Sequence, residues 1–303
     1  GNMILAKELI DAAINSGADA VKLQSYKAKY RVAEHGKTSR YVEKVLGAEE
    51  TDYEMLKKSE LSKEQTAELF DYAKNRIIIF SAPFDLESAD ELAELGVDCY
   101  KIASFDLVNL PLIRKVASTN KPMIISTGMA NLEEITEAVE TARDNGCNNI
   151  ALLHCISSYP APIEQSNLLT IPDLSKRFEV VSGLSDHSLG TVVAIASVAV
   201  GASIIEKHVT LNRNDKGPDS EFSLEPDEFK QLCKDANNAW LATGNSGYER
   251  KPAEESSMKF RRSIYVVKNM KKGEVFTQEN IRRIRPGYGL PPKYYTEILG
   301  KKA

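Results

Sequence analysis

The sequence predicts an α/β protein: a (β/α)8 TIM barrel followed by a small, separate carboxyl-terminal unit. Three observations predict it. Short β-branched runs alternate with amphipathic helical stretches through residues 3–242. Most of the runs are nearly continuously apolar, as parallel strands buried on both faces are. The connections are mostly short, which joins such units into one parallel sheet, closed as a barrel or open and doubly wound.

In chain order, a helical pattern over 3–16 ends before Gly17 and leads into a first strand at 19–24 (DAVKLQ). A long polar stretch, 28–58, follows and reads as an inserted lid. Ser62 stands as the cap of a helix reaching residue 75, before a strand at 77–81 (IIIFS). The helix over 86–95 is closed by Gly96, and the next strand is 98–103 (DCYKIA). After a strand at 122–126 (PMIIS), Asn131 precedes a helix over 132–145 with acids in its first turn and Gly146 past its end. Strands at 149–155 (NIALLHC) and 180–184, a helix over 189–200, and a strand at 203–208 (SIIEKH) complete the set. That makes seven strands where a barrel needs eight, and the chain opens directly on a helix. The expectation is that the first strand precedes Gly1.

Residues 243–258 are rich in Gly, Ser, Pro and charge and read as a linker between a barrel at 1–242 and a last unit at 259–303. The last unit is too small for a confident core of its own, so it is expected to be incomplete or to borrow a surface.

Composition narrows the function. Hydrophobic residues make up 42% and charged residues 27%, the balance of a globular protein. There is no apolar run long enough to span a membrane and no leader pattern, and Cys99, Cys147, Cys155 and Cys233 lack metal-ligand spacing. A cytoplasmic setting is therefore expected. The net charge of −4 argues against bulk nucleic-acid binding. The charge is uneven, since residues 259–302 carry 12 basic and 3 acidic side chains, a local +9.

A barrel places its active site at the carboxyl ends of its strands. Reading those ends collects Lys22, Gln24, Ser81, Lys101, Ser104, Asp106, Ser126, the stretch 154–159, Ser185, Asp186, His187 and His208. His187 and His208 close consecutive strands and could share a metal, or could be two ordinary histidines; Asp186 and Glu206 are candidate supports for them. Lys22 and Lys101 sit inside apolar runs, so each needs an anion. That anion is a substrate phosphate or carboxylate, or an internal acid such as Asp106; a Schiff-base lysine is the third reading. His154 reads as a satisfied core residue, His35 carries no signal, and Trp240 reads as packing.

The strings VKLQ, YKIASFD, PMIISTGM, HCISSYPAP, GLSDHS, IEKH and GPDSEFSLEP occur in order. Together they resemble the sialic acid synthase family, whose members condense phosphoenolpyruvate (PEP) with an N-acylated sugar. The last unit resembles the antifreeze-like (SAF) domain of those enzymes. GPDSEFSLEP, YKIASF and HCISSYPAPIE are most similar to the pseudaminic acid branch. The resemblance implies a TIM barrel, a domain-swapped homodimer, and a divalent metal, usually Mn²⁺ with Mg²⁺ or Co²⁺ as substitutes, held by His187 and His208. It implies PEP binding by Lys22, Lys101, Ser104, Ser126, Ser157 and Ser185. It implies sugar contacts from Gln24, Tyr159, Asp219 and, on the SAF domain, Arg285, which reaches the acyl group in the other subunit's site. Asp106 falls on the family's proton-handling acid, which is usually Glu, and Ala82 stands where Ser or Thr is usual. The family's sugar-binding residue after strand one would lie before Gly1.

Overall fold

The structure is a computed structural model that describes residues 2–34, 51–215, 217 and 219–303. Residues 35–50 of the expected lid, His35 among them, lie outside the described residues. The chain divides into two units, Gly1–Gly244 and Asn245–Ala303.

The first unit opens on α1 (Met3–Ser16). Asn2 caps it by accepting from the Ile4 and Leu5 amides, and Gly17 at φ 84° ends it in the left-handed conformation. There follow β1 (Ala20–Ser25), a one-turn α2 (Ala28–Arg31), α3 (Asp52–Ser59) and α4 (Lys63–Ala73). The Ser62–Gln65 capping box starts α4 where its sequence signal stood. Then come β2 (Ile78–Pro83), α5 (Leu86–Leu95), β3 (Tyr100–Ile102), α6 (Leu110–Ala117), β4 (Met123–Ser126) and α7 (Leu132–Asp144). Asn131 and Glu134 form the capping box of α7. The unit closes with β5 (Ile150–Cys155), α8 (Thr170–Phe178), β6 (Val181–Asp186), α9 (Val192–Ala199), β7 (Ile204–Lys207) and α10 (Pro226–Thr243). Helix α9 starts three residues later than its apolar pattern suggests, because Gly190 at φ 71° turns the chain first.

The seven strands lie in one sheet in the order of the sequence, and every neighbouring pair is parallel. This is barrel order, and it excludes a doubly wound sheet, whose strand order reverses partway. Alternate strand residues face the helices. Tyr100, Ile102, Met123, Ile125 and Leu152 join Leu92, Leu112, Ile113 and Val116 in the main core between sheet and helices. The intervening residues face the barrel axis. At Gly183 a Cβ would come within 2.2 Å of the Ile204 carbonyl oxygen, so the close approach of β6 and β7 requires glycine.

In the second unit, 3₁₀ turns over Pro252–Phe260 precede an antiparallel pair, β8 (Ser263–Val266) and β9 (Ile281–Ile284), and a final turn α11 (Tyr295–Ile298). Part of the stretch expected as linker is thus helical and belongs to this unit. Pro252 near the start and Glu254 accepting from the Lys251 amide begin those turns. Ile281 and Ser263 are buried within the unit. No described helix is long and apolar enough to cross a membrane.

Candidate active site

Alternation along the strands decides which side chains reach the axis. On β3, Tyr100 and Ile102 pack outward and Lys101 points inward, 1% exposed. Its Nζ donates to Ser126 Oγ at 2.6 Å, on β4, and to the Ile102 carbonyl at 2.8 Å. Lys22 on β1 points inward in the same way, between Val21 and Leu23, which pack beneath α1 and α4. Its Nζ lies 3.0 Å from Glu206 Oε2, and Ser185 Oγ donates to Glu206 Oε1 at 2.9 Å. Lys22 therefore has an internal partner. It is Glu206, not Asp106 as the sequence suggested.

Electrostatics follow from this packing. Burial pushes the Lys101 pKa down to about 8 against the pull of Glu206, with Lys22 adding to the fall. Burial opposes ionisation of Glu206 too, but Lys101 and Lys22 outweigh it and hold the carboxyl far below the usual range. Two ammonium groups face one carboxylate, which leaves one positive charge in excess at a site lined with hydroxyls. Such a site favours an anion.

Two further serines converge at the ends of β3 and β5. Ser104 Oγ accepts from the Gly128 amide at 3.1 Å. A Cβ at Gly128 would fall 2.2 Å from Ser157 Oγ and 2.8 Å from Ser104 Oγ. Glycine there is a steric requirement of the serine pair.

His187 and His208, just past the ends of β6 and β7, bring their ring centroids within 5.4 Å. Tyr159 lies 4.3 Å from the His187 ring, and Phe222 lies 5.0 Å from that of His208. His187 Nδ1 sits 3.0 Å from the Ile156 carbonyl oxygen, so it carries the proton and leaves Nε2 with a free lone pair. Asp219 Oδ2 stands 3.5 Å from His208 Nδ1 and orients that ring likewise. Burial raises the Asp219 pKa, but the hydrogen bond and charge of His208 outweigh it and bring the carboxyl below its usual value. No cluster of three or more His, Cys, Asp or Glu able to hold a metal occurs among the described residues.

Gln24 and Asp106 border the same mouth. Asp106 ends a 3₁₀ turn over Ser104–Asp106, and burial raises its pKa. Asn109 Nδ2 lies 3.5 Å from its Oδ1. Arg31 reaches Gln24 from α2, its Nη1 donating to Gln24 Oε1 at 3.1 Å. Ala82, in β2, is buried and leaves Ser81 Oγ to pair with Ser25 Oγ at 2.8 Å. His154 Nε2 is spent on the Ser166 carbonyl at 2.7 Å, a satisfied core histidine. Arg285 lies in the second unit, its guanidinium 5.8 Å from the Phe260 ring centre. The first unit thus gathers Lys22 and Ser185 at Glu206, Lys101 at Ser126, Ser104 and Ser157 at Gly128, and His187, His208, Tyr159 and Asp219 in one further group.

Sequence reasoning undervalued three groups. The sequence offers Glu206 only as a support for the histidines, although its place in the IEKH run puts it on the same inward face as His208. Arg31 fell inside the stretch read as a lid and carried no periodic signal. Nothing in the sequence pattern singles out Lys207. It faces outward from the axis, 1% exposed, and forms a 2.6 Å ion pair with Asp186, 2% exposed.

The model of the NeuB family matches residues 9–248, about four fifths of the chain. The chain belongs to the sialic acid synthase family. Within this family it is a carbon–carbon bond-forming synthase of the PEP-condensing type, and its second unit, matched over residues 261–303, is a SAF domain. It is 43% identical to the N,N'-diacetyllegionaminic acid synthase of Campylobacter jejuni, across 100% of this chain and 92% of that one. It is 40% identical to the pseudaminic acid synthase of Helicobacter pylori, across 99% and 88%. Among solved structures, the N-acetylneuraminic acid synthetase of Leptospira borgpetersenii, crystallised with citrate, superposes with a TM-score of 0.76 at 32% identity, covering 86% of this chain and 87% of that one.

Proposed function

We propose that this synthase condenses PEP with a 2,4-diacetamido-2,4,6-trideoxy hexose of L-altro configuration, as a pseudaminic acid synthase does, releasing phosphate and a nine-carbon 2-keto acid. The observation that carries the reading is the excess positive charge of Lys22 and Lys101 over Glu206, facing inward beside the His187–His208 pair. The sugar assignment rests on the likeness of GPDSEFSLEP and its companion strings to the pseudaminic branch. The 43% match to a legionaminic acid synthase favours, as second reading, the sugar of that enzyme.

Lys22 and Lys101, with Ser104, Ser126, Ser157 and Ser185, hold the phosphate and carboxylate of PEP and fix its carbon 3 against the sugar aldehyde. Carbon 3 attacks the aldehyde carbon, water adds at carbon 2, and the tetrahedral intermediate expels phosphate. Asp106, its pKa raised by burial, passes a proton between the water and the new hydroxyl. Gln24, Tyr159 and Asp219 line the sugar side. Arg285, on the SAF domain of a domain-swapped homodimer, is assigned to an acyl group.

The donors present fit a divalent ion such as Mn²⁺: two imidazoles at neighbouring strand ends, with His187 fixed in the tautomer that leaves Nε2 free. A metal bound by His187 and His208 supplies Lewis-acid polarisation of the aldehyde oxygen. Loss of either imidazole by His187→Ala or His208→Ala is expected to abolish Mn²⁺ binding in calorimetry without unfolding the chain.

The deciding measurement is phosphate release from PEP with Mn²⁺ across a panel of acylated hexoses. Turnover highest with the L-altro diacetamido sugar is expected. Equal or higher turnover with the legionaminate precursor selects the second reading, and none with any sugar overturns both. Borohydride trapping with pyruvate should leave the protein unmodified; a covalent adduct would mark a Schiff-base aldolase instead.

A further inference from the structure

Arg31 stands apart from the charges already described. Its backbone belongs to α2, and that turn is held from both sides. The Lys27 amide donates to Asp85 Oδ2 at 2.9 Å, the Ala28 amide to Glu60 Oε2 at 3.1 Å, and Ala28 is fully buried. The side chain then packs into the corner formed by two aromatic rings, 4.0 Å from the Phe84 ring centre and 4.6 Å from that of Tyr26. Those rings are themselves packed edge to face at 6.2 Å. The guanidinium plane is thus clamped before any ligand arrives.

What it faces is the sugar side of the site. One of its five N–H donors goes to Gln24 Oε1 at 3.1 Å. Asp106, Asp219 and Tyr159 lie within the reach of its charge, and burial lowers its pKa while these groups pull it back. It nevertheless forms no ion pair with a carboxylate among the described residues. A half-buried, rigidly held guanidinium with most of its donors unspent is a costly arrangement unless a ligand oxygen meets it. The anion subsite has its own cations in Lys22 and Lys101. The oxygen for Arg31 is therefore that of the neutral substrate.

We infer that Arg31 is a specificity-determining residue of the synthase, donating, together with the amide of Gln24, to the carbonyl oxygen of one acylamino group of the sugar. This rests on the proposed condensation of PEP with a doubly acylated hexose and names the side chain that reads one of the two acyl groups. An acyl carbonyl is the strongest neutral acceptor on such a sugar, and a planar fork packed against two rings is suited to it. A site built to hydrogen-bond a group discriminates sharply against an analogue that lacks it.

The test compares wild type with Arg31→Met and Arg31→Lys on three sugars: the diacetamido hexose and the two analogues in which one acetamido group is replaced by hydroxyl. Methionine keeps an apolar stem against Phe84, and lysine keeps the charge without the planar fork. In wild type each missing acyl group should lower kcat/KM. In both variants the penalty for one of the two is expected to shrink by about tenfold or more, while the other penalty and the KM for PEP stay unchanged. Lysine that restores the full penalty, both penalties unchanged, or a PEP KM rising in step with that of the sugar would each overturn the assignment. Absence of phosphate release by wild type with every sugar would instead remove the parent reading. Melting temperatures of the variants within a few degrees of wild type establish that the comparison concerns folded enzyme.

Discussion

Lys22 on β1 and Glu206 on β7 meet at 3.0 Å, although their strands are the two edges of the described seven-stranded sheet. Only a sheet curled back on itself lets inward side chains from its opposite edges touch. The contact also neutralises one of two lysines that would otherwise repel each other inside the barrel. Replacing Glu206 by Gln is expected to leave Lys22 and Lys101 facing each other and to cost about 2 kcal/mol in urea unfolding. Inorganic phosphate should take over the carboxylate's role, so added phosphate should raise the melting temperature of the variant more than that of wild type. An equal phosphate response in both would show that the pocket does not attract anions.

The depressed pKa of Lys101 predicts a pH dependence with a definite sign. In the free enzyme its ammonium is lost as pH rises through about 8. Because kcat/KM reports free-enzyme groups, kcat/KM for PEP should fall by about tenfold per pH unit above that point. Lys101→Met should be low and lack this descending limb. Unfolding driven by this group cannot be the cause of the fall. The unfolded chain keeps this proton up to the ordinary value of 10.5, so between about 8 and 10.5 it binds more protons than the folded chain, and this group makes folding more favourable with rising pH. A pH–rate profile alongside urea titrations at each pH separates the two effects.

Gly128→Ala tests the serine pair. The new methyl would lie 2.2 Å from Ser157 Oγ and 2.8 Å from Ser104 Oγ, so both hydroxyls must move. The KM for PEP should rise by about tenfold or more, with misplacement of binding groups as the cause, while the sugar KM changes little. Parallel changes in both constants would detach Ser104 and Ser157 from the anion.

The Asp186–Lys207 pair lies behind the site, between sheet and helices, and holds the turn that carries His187. Asp186 Oδ1 accepts from the Ser188 amide at 2.9 Å, and Lys207 Nζ donates to Asp186 and to the Ser188 carbonyl. Lys207→Met leaves a buried carboxylate unpaired and should cost about 3–5 kcal/mol, a drop of about 10 °C or more in melting temperature for a unit of this size. The double variant Asp186→Leu with Lys207→Met should recover much of that loss but bind Mn²⁺ more weakly than wild type, because the turn is no longer tied to β7. Full recovery of metal affinity in the double variant would reduce the pair to a stability element.

The chain order of strands and helices was legible because it depends on local chemistry. Asn131 before LEEITEAV and Gly96 after LAEL cap helices whatever surrounds them. Lys101 and Lys22, breaking apolar runs, marked the inward face, and His187 and His208 marked consecutive strand ends for the same reason: the two-residue period of a strand is written in the sequence itself. Which groups meet across the barrel was not legible. Glu206 rather than Asp106 answers Lys22, and Arg31 comes to Gln24 and Phe84, because those encounters join segments far apart in the chain. Sequence alone determined the succession of strands and helices and the kinds of group at the strand ends. The curl of the sheet and the anchoring of α2 decided which charges pair and which donors remain for substrate, since such contacts depend on distances in space that no local pattern encodes.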